Sequence, residues 1–213
     1  MKIVPSILAE KPEDFLLRIK QAESFTDYVQ IDLMDGVFVP SKSFPPGEIN
    51  LLATALSFEL HLMCEDPASL MKLVDNRRLK KVIYHIEAVA DHLAFINGMK
   101  TRGLEVGLAV KPETGIEKFK DIVEYLDTLL FMTVDPGRYG SPFKPEVLVK
   151  VAESKKLFPG VTISVDGGIS LDNLHFLIDA GVDYACVGSR IFLAGMPENN
   201  YRLFLNRLHE LEG

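Results

Sequence analysis

The sequence predicts a single α/β domain that spans residues 1–213 and folds as a closed (β/α)8 TIM barrel, and three observations support this fold class. Short apolar runs recur along the chain, each followed by a polar-patterned segment that is long enough for a helix. Eight such runs occur, which is the number of strands in this barrel. No linker or shift in composition interrupts the alternation, which favours a closed barrel over an open doubly wound sheet.

The predicted strands are distributed along the whole chain and are separated by segments of similar length. In order they are KIVPSIL (2–8), DYVQIDLM (27–34), SFELHLM (57–63), KVIYHIEA (81–88), EVGLAV (105–110), TLLFMTV (128–134), TISVDGG (162–168) and DYACVGS (183–189).

The intervening segments predict helices, because their apolar residues recur at helical spacing and Pro, Asp or Ser stands near several of their starts. These segments are PEDFLLRIKQAESF (12–25), PASLMKLVDNRRL (67–79), DHLAFINGMKTRG (91–103), GIEKFKDIVEYL (115–126), KPEVLVKVAESKKL (144–157) and SLDNLHFLIDAG (170–181). Residues 36–56 are less regular and predict a mobile loop followed by a short helix.

Composition and charge exclude several classes of partner. The net charge of −7 argues against nucleic-acid and membrane-surface binding, because both partners are polyanions. The first apolar run ends before Pro12, Glu13 and Asp14, which is too short for a signal peptide, so we expect a cytoplasmic protein. Cys64 and Cys186 lie far apart without CxxC spacing, so we expect buried, reduced thiols.

The second predicted strand places two kinds of side chain on its two faces. Because side chains alternate along a strand, Gln30, Asp32 and Met34 share one face, while Ile31 and Leu33 share the other. A carboxylate within such an apolar run is costly to bury without a cation, a hydrogen bond or a proton. The polar face of this strand is therefore a candidate for chemistry.

Polar side chains stand at the ends of four predicted strands, on the face where barrels carry their active sites. These residues are Ser6, Asp32, His61 and Asp166. A single serine or histidine in a strand is more often a core residue with a satisfied hydrogen bond. Two aspartates at strand ends favour a functional site instead.

Glycine-rich loops follow the last three predicted strands and form a second candidate site. Backbone N–H groups of such loops commonly bind phosphate, and glycine permits a close approach. Each loop alone is equally consistent with a tight turn. The candidate substrate-binding residues in these loops are Gly137, Arg138, Tyr139, Gly140, Gly167, Gly168, Gly188 and Ser189.

Six motifs occur in a family-specific order along nearly the whole chain. They are PSIL (5–8), IDLMDGVFVP (31–40), HLM (61–63), MTVDPGRYGSPF (132–143), VDGGIS (165–170) and VGSRIF (187–192). Together they resemble the ribulose-phosphate 3-epimerase family. The resemblance implies a (β/α)8 barrel, a small phosphorylated ketose as substrate, a divalent metal ion, and acid–base catalysis by Asp32 and Asp166. We also expect a homo-oligomer.

The resemblance assigns further roles to residues at the strand ends. Asp32, His61 and Asp166 match metal ligands, and His61 with Ser6 is also expected to contact substrate. Three methionines match side chains that cover the planar enediolate formed when a proton leaves the carbon beside the carbonyl; they are Met34, Met63 and Met132. Polarizable side chains that exclude water suit such an anion.

The chain departs from the family pattern at two places. Gln30 stands where the family usually has a histidine ligand, which favours oxygen-preferring ions such as manganese or magnesium and leaves zinc, iron or loss of the metal open. The phosphate loop carries Asp135, Arg138, Tyr139 and Ser141 in place of the usual Asn and plainer glycine-rich run. Arg138 either adds charge to phosphate binding or lies in solvent.

The function predicted from these residues is epimerisation at C3 of a ketose phosphate. The first substrate is D-ribulose 5-phosphate, with D-xylulose 5-phosphate as product, and allulose 6-phosphate is the close alternative. A decarboxylase or aldolase would need a lysine among its acids, whereas Leu33 and Met34 stand between Asp32 and Asp35. A non-catalytic phosphosugar-binding paralogue is the third alternative, because Gln30 has replaced a ligand.

Overall fold

Parallel strands close into a barrel in the computed structural model, which describes residues 1–137 and 140–213. Each strand pairs with the next along the chain, and the last pairs with the first from Lys2 with Tyr184 to Pro5 with Val187. This confirms the predicted fold class. The strands of the described residues are β1 (Lys2–Ile7), β2 (Tyr28–Met34), β3 (Ser57–Met63), β4 (Leu79–His85), β5 (Glu105–Val110), β6 (Thr128–Met132), β7 (Thr162–Asp166) and β8 (Tyr184–Val187).

Helices connect the strands outside the barrel. The α-helices are α1 (Pro12–Ala22), α2 (Pro67–Met71), α3 (His92–Thr101), α4 (Val147–Leu157), α5 (Leu174–Asp179), α6 (Ser189–Phe192) and α7 (Pro197–Glu212). Shorter 3-10 segments occupy Pro46–Leu51, Ile86–Ala88, Ile116–Lys118 and Lys120–Tyr125. The two largest differences from the predicted helices lie after β5 and after β3, and contacts with other elements explain both.

After β5, two 3-10 segments replace the helix predicted over residues 115–126. Phe119 separates them with a φ of −126°, and its ring is fully buried beside Phe131 and Phe158. Burying this ring outweighs the helical preference of the segment. The helix predicted over 67–79 ends at Met71, and the guanidinium of Arg102 donates hydrogen bonds of 2.8 and 2.5 Å to the carbonyl oxygens of Met71 and Val74.

The core has an outer and an inner part. The outer part lies between the strands and the helices and includes Ile31 and Leu33 of β2, which both have no exposed surface. The inner part fills the barrel and includes Ile83 and Leu130. The predicted alternation along β2 is therefore confirmed, because its aliphatic residues face the helices and its polar residues face the barrel axis.

The amino-terminal end of the barrel contains a cluster of charged and polar side chains around the buried pair Glu59 and Lys81. We call it the amino-end cluster and define it as Tyr28, Glu59, Lys81 and Glu105. The ammonium of Lys81 lies 3.2 Å from a carboxylate oxygen of Glu59 and 3.7 Å from one of Glu105. The hydroxyl of Tyr28 donates to Glu59 at 2.9 Å. The buried charges of Glu59 and Lys81 are thus paired, as burial requires, whereas the side chain of Glu105 is 61% exposed.

The loop after β2 is held by hydrogen bonds to one carboxylate. Asp35 accepts from the backbone N–H groups of Val37 at 2.8 Å, Phe38 at 2.9 Å and Glu65 at 2.7 Å. Burial works to raise the pKa of Asp35, but these hydrogen bonds outweigh it and lower the pKa. The segment predicted as a mobile loop therefore has defined anchors, and the short helix predicted after it is the 3-10 segment Pro46–Leu51.

Cys64 and Cys186 are buried and neither forms a disulfide, as predicted. Within the described part of the chain, none of the helices has the length and apolar character that a membrane span requires.

Candidate active site and metal centre

Strand register brings the predicted site residues together near the carboxyl end of the barrel. Residues that pair across neighbouring parallel strands project to the same side of the sheet. The pairs at the carboxyl end of the barrel are Ser6 with Gln30, Asp32 with His61, Met34 with Met63 and Met132 with Asp166. Side chains from β1, β2, β3, β6 and β7 therefore meet at this end.

The two predicted catalytic aspartates converge on the same pair of nitrogen atoms. The amide nitrogen Nε2 of Gln30 donates to Asp32 Oδ1 at 2.9 Å and to Asp166 Oδ2 at 2.7 Å. Nδ1 of His61 lies 3.1 Å from Asp32 Oδ1 and 3.4 Å from Asp166 Oδ2. Ser6 donates from its hydroxyl to the other oxygen of Asp32 at 2.6 Å. Strands β8 and β1 lie between β7 and β2, so the carboxylates approach each other across the barrel.

Burial and charge perturb the titration of this cluster. Burial alone lowers the pKa of His61, but hydrogen bonds to Asp166 and Asp32 outweigh it and raise the pKa to about 9. Burial raises the pKa of Asp166; the hydrogen bond from His61 opposes the rise, and the charge of Asp32 adds to it. Two carboxylates around one imidazole thus favour the charged ring when no cation is present.

The donor set fits a divalent cation. One ligand atom from each of Asp32, His61 and Asp166 lies within 4.8 Å of the others. Two carboxylate oxygens and one imidazole nitrogen are donors that zinc, iron and manganese accept. The structure therefore brings together the three ligands that the resemblance implies, on β2, β3 and β7.

Gln30 presents its nitrogen, not its oxygen, to the two carboxylates. An amide nitrogen donates hydrogen bonds and cannot ligate a metal, whereas the carbonyl oxygen can. That oxygen, Oε1, is buried and has no hydrogen-bond partner among the described residues. Gln30 thus carries a buried hydrogen-bond acceptor without a partner among the described residues. A 180° rotation of the side-chain amide exchanges the positions of Oε1 and Nε2.

A cavity above the aspartates collects most of the predicted substrate-binding residues. Met34 packs beside it with Val39 and Met63, and His61, which pairs with Asp32 across β2 and β3, is fully buried. Arg138 and Tyr139 lie outside the described residues. The cavity is lined by Ser6, Asp32, Met63, Met132, Gly137, Gly140, Asp166, Gly167, Gly168, Gly188 and Ser189, among others.

Two of the cavity glycines have conformations and surroundings that other residues do not fit. Gly167 has a φ of +109°, and a Cβ atom there would lie 2.3 Å from a methyl group of Val134. Gly168 has a φ of +67°, and its Cβ would lie 2.8 Å from the Cα of Phe143. These backbone angles also end β7 at Asp166, two residues before the end of the predicted strand. The loop therefore brings bare backbone to the cavity wall.

Two residues near the site were not predicted from the sequence as functional. Nε2 of His85 lies 3.0 Å from Nε2 of His61, and Nδ1 of His85 lies 3.3 Å from a carboxylate oxygen of Glu87. His85 ends β4 just as His61 stands near the end of β3. The same rule that selected His61, a polar residue near a strand end, also applies to His85.

Comparisons of the sequence identify one family. The model described as "Ribulose-phosphate 3 epimerase family" matches residues 2–192. The chain is 32% identical to the ribulose-phosphate 3-epimerase of Schizosaccharomyces pombe over 203 residues, covering 92% of this chain and 89% of that protein. It is 33% identical to the protein of the same name from Mycobacterium leprae, again covering 92% and 89%.

The barrel is also similar to solved structures of proteins with other names. A 3-hexulose-6-phosphate synthase from Salmonella typhimurium superposes with a TM-score of 0.72 at 16% identity, covering 99% of this chain and 100% of that one. The structure of KGPDC from Streptococcus mutans in complex with D-R5P gives 0.71 at 16% identity, covering 99% and 98%. At this identity the likeness concerns the fold alone.

Proposed function

The chain belongs to the ribulose-phosphate 3-epimerase family and is an isomerase, and on this basis we propose that it interconverts D-ribulose 5-phosphate and D-xylulose 5-phosphate by two-aspartate proton transfer. The observation that carries the mechanism is the convergence of Asp32 and Asp166 at one cavity from the separate strands β2 and β7. The curated relatives named after ribulose phosphate support the pentulose over the hexulose.

Epimerisation beside a carbonyl needs one group to remove a proton and a second group to return one to the opposite face. In the proposed mechanism one aspartate takes the C3 proton and leaves a planar enediolate, and the other donates its proton to the far side. The reaction is reversible, so the two carboxyl groups exchange roles with direction. Both oxygens of Asp32 are held in place, because Ser6 donates to Oδ2 and Gln30 donates to Oδ1.

Asp32, His61 and Asp166 are the proposed ligands of a divalent cation. Such a cation, when bound, supplies positive charge that stabilises the oxygens of the enediolate. Gln30 becomes a fourth donor only with its amide turned, so that Oε1 faces the ligands. This arrangement supports a preference for oxygen-preferring ions such as manganese or magnesium over zinc.

The remaining cavity residues bind and shield the substrate in this proposal. Met63 and Met132 line the cavity and Met34 supports Met63, so the three thioethers exclude water beside the planar intermediate. The loops after β6, β7 and β8 offer backbone N–H groups to the phosphate.

The lining of the cavity counts against a decarboxylase or an aldolase. None of the described residues that line it is a lysine. The buried Lys81 belongs to the amino-end cluster, at the opposite end of the barrel.

The proposal is tested by incubating the purified protein with D-ribulose 5-phosphate in deuterium oxide and following the product by NMR. The protein is used after chelation and after restoration with manganese, and D-allulose 6-phosphate is the comparison substrate. We expect D-xylulose 5-phosphate carrying deuterium at C3, formed faster than the hexulose product and faster with metal restored. Binding of the pentulose phosphate without any conversion would instead favour the non-catalytic paralogue.

We also propose that the protein acts in the cytoplasm and as a homo-oligomer. Two buried, unpaired cysteines suit a reducing compartment. Exposed apolar side chains such as Leu17, Leu51 and Val149 offer surface for self-association. Light scattering coupled to gel filtration measures the mass and tests the second point.

A further inference from the structure

A chain of polar groups leads from the aspartates into the wall of the barrel. His61 contacts the aspartates through Nδ1 and contacts His85 through Nε2, at 3.0 Å between the two ring nitrogens. His85 in turn contacts the carboxylate of Glu87 through Nδ1 at 3.3 Å. Both imidazole rings have no exposed surface. The two rings lie at an angle of 27°, with centroids 5.1 Å apart.

The hydrogen atoms along this chain can be assigned from its ends. Burial works to raise the pKa of Glu87, but hydrogen bonds from His85 and Thr114 outweigh it and lower the pKa to about 2, so Glu87 is only an acceptor at neutral pH. Nδ1 of His85 must then carry the hydrogen. A neutral imidazole carries one hydrogen, so with that hydrogen on Nδ1 the Nε2 of His85 is an acceptor, and only one hydrogen fits between ring nitrogens that lie 3.0 Å apart. The hydrogen between the two rings therefore belongs to Nε2 of His61.

Glu87 is itself held in place by the loop after β5. Its second oxygen accepts from the hydroxyl of Thr114 and from the backbone N–H of Lys111 at 3.2 Å. The ammonium of Lys150, on α4, donates to the carbonyl oxygens of Lys111, Pro112 and Thr114 at 3.0, 3.1 and 2.6 Å. Glu87 is thus held by the loop after β5, and that loop is held by α4.

We infer that Glu87 and His85 are positioning residues that keep a hydrogen on Nε2 of His61, so that Nδ1, which faces Asp32 and Asp166, is the nitrogen that gives up its hydrogen when a cation binds. A histidine that ligates a metal through one nitrogen usually donates its other N–H to a fixed acceptor, which sets the orientation and basicity of the ring. Here the acceptor is a neutral imidazole, and its own tautomer is set by a carboxylate. The inference deepens the proposed function. The positions of the hydrogen atoms do not depend on that function, whereas the effect on metal binding rests on it.

The first test reads the tautomers directly in the metal-free protein. Long-range nitrogen–proton NMR distinguishes the two tautomers of a histidine ring. We expect the hydrogen of His85 on Nδ1, and Nε2 of His61 protonated. In Glu87→Ala the preference of His85 is lost, whereas Glu87→Gln keeps it, because the amide oxygen still accepts from Nδ1–H. A hydrogen on Nε2 of His85 in the parent, or an unchanged His85 in Glu87→Ala, would overturn the inference.

The second test measures zinc affinity by competition with a chromophoric chelator. His85→Phe removes the acceptor and should raise the zinc dissociation constant roughly ten- to a hundredfold. His85→Gln is the matched variant, because its amide oxygen can take the place of Nε2, and it should stay within about threefold of the parent. Urea unfolding of both variants controls for folding. The role of the hydrogen bond between His61 and residue 85 would be refuted if His85→Phe bound zinc as tightly as the parent. It would also be refuted if His85→Phe and His85→Gln weakened zinc binding equally.

The two tests separate this inference from the proposed function. A protein that has the expected tautomers but no affinity for any divalent ion would refute the metal centre and leave the positioning role standing. A protein that binds zinc with His85 in the other tautomer would keep the metal centre and refute the positioning role.

Discussion

Replacing Gln30 with histidine should strengthen zinc binding, because it converts a hydrogen-bond donor between two carboxylates into a nitrogen ligand. In the parent, Nε2 of Gln30 donates to Asp32 at 2.9 Å and to Asp166 at 2.7 Å. A cation held by those carboxylates must displace both hydrogen bonds, and the amide must turn before its oxygen can contribute. An imidazole at position 30 gives up one hydrogen bond at most.

The size of the effect follows from this difference of one hydrogen bond. A hydrogen bond to a charged acceptor contributes about 1.5–3 kcal/mol. Single changes in the surroundings of a metal site alter affinity by roughly ten- to a hundredfold, which is the same range. We therefore expect Gln30→His to strengthen zinc binding by about 1–3 kcal/mol. Activity need not rise in parallel, because a tighter ion can hold the intermediate in a different geometry.

The assay compares metal content after chelation and the zinc dissociation constant in three proteins: parent, Gln30→His and Gln30→Leu. Leucine is the control, because it has a similar size but neither donates nor ligates. If Oε1 of Gln30 ligates in the parent, the Leu variant binds zinc more weakly than the parent. A parent that retains zinc against the chelator, with the same affinity as Gln30→His, would show that position 30 does not contribute to the site.

Three further predictions concern the proton carriers, the phosphate loop and the amino-end cluster. Asp32→Asn and Asp166→Asn should each lower turnover by on the order of a hundredfold or more in a coupled epimerase assay, because each removes one of two proton carriers; near-normal turnover in either would contradict the mechanism. Gly168→Val should raise the Michaelis constant for the phosphorylated ketose, because the added atoms displace the loop; an unchanged constant would place the phosphate elsewhere. Lys81→Met should lower the free energy of unfolding in urea by about 3 kcal/mol, because Glu59 is left buried without its cation, and adding Glu59→Gln should restore part of the loss.

The strands could be predicted closely where alternation and apolar character agree. The predicted bounds of β3 and β5 match the structure residue for residue. The strand ends differ where backbone conformation changes, as at Gly167 after β7. Helical spacing was misleading at residues 115–126, because the burial of Phe119 is a tertiary effect that a local pattern does not contain.

The site could be predicted in part, because strand ends converge in a barrel whatever their separation in sequence. Asp32, His61 and Asp166 were found by that rule together with the family motifs. The orientation of the Gln30 amide could not be predicted, since it depends on two carboxylates from different strands. His85 was read as part of an apolar strand, and its contact with His61 follows from the adjacency of β3 and β4, which a list of residues along the chain does not show.

The anchoring of the loop after β2 by Asp35 affects the thermodynamics of substrate binding. A loop that becomes ordered only around its ligand loses roughly 1–2 kcal/mol of backbone conformational entropy for each residue that is fixed. Asp35 already fixes Val37 and Phe38 through their backbone N–H groups. Binding should therefore show a small loss of conformational entropy in calorimetry, whereas Asp35→Ala should bind with a more negative entropy, more slowly and less tightly.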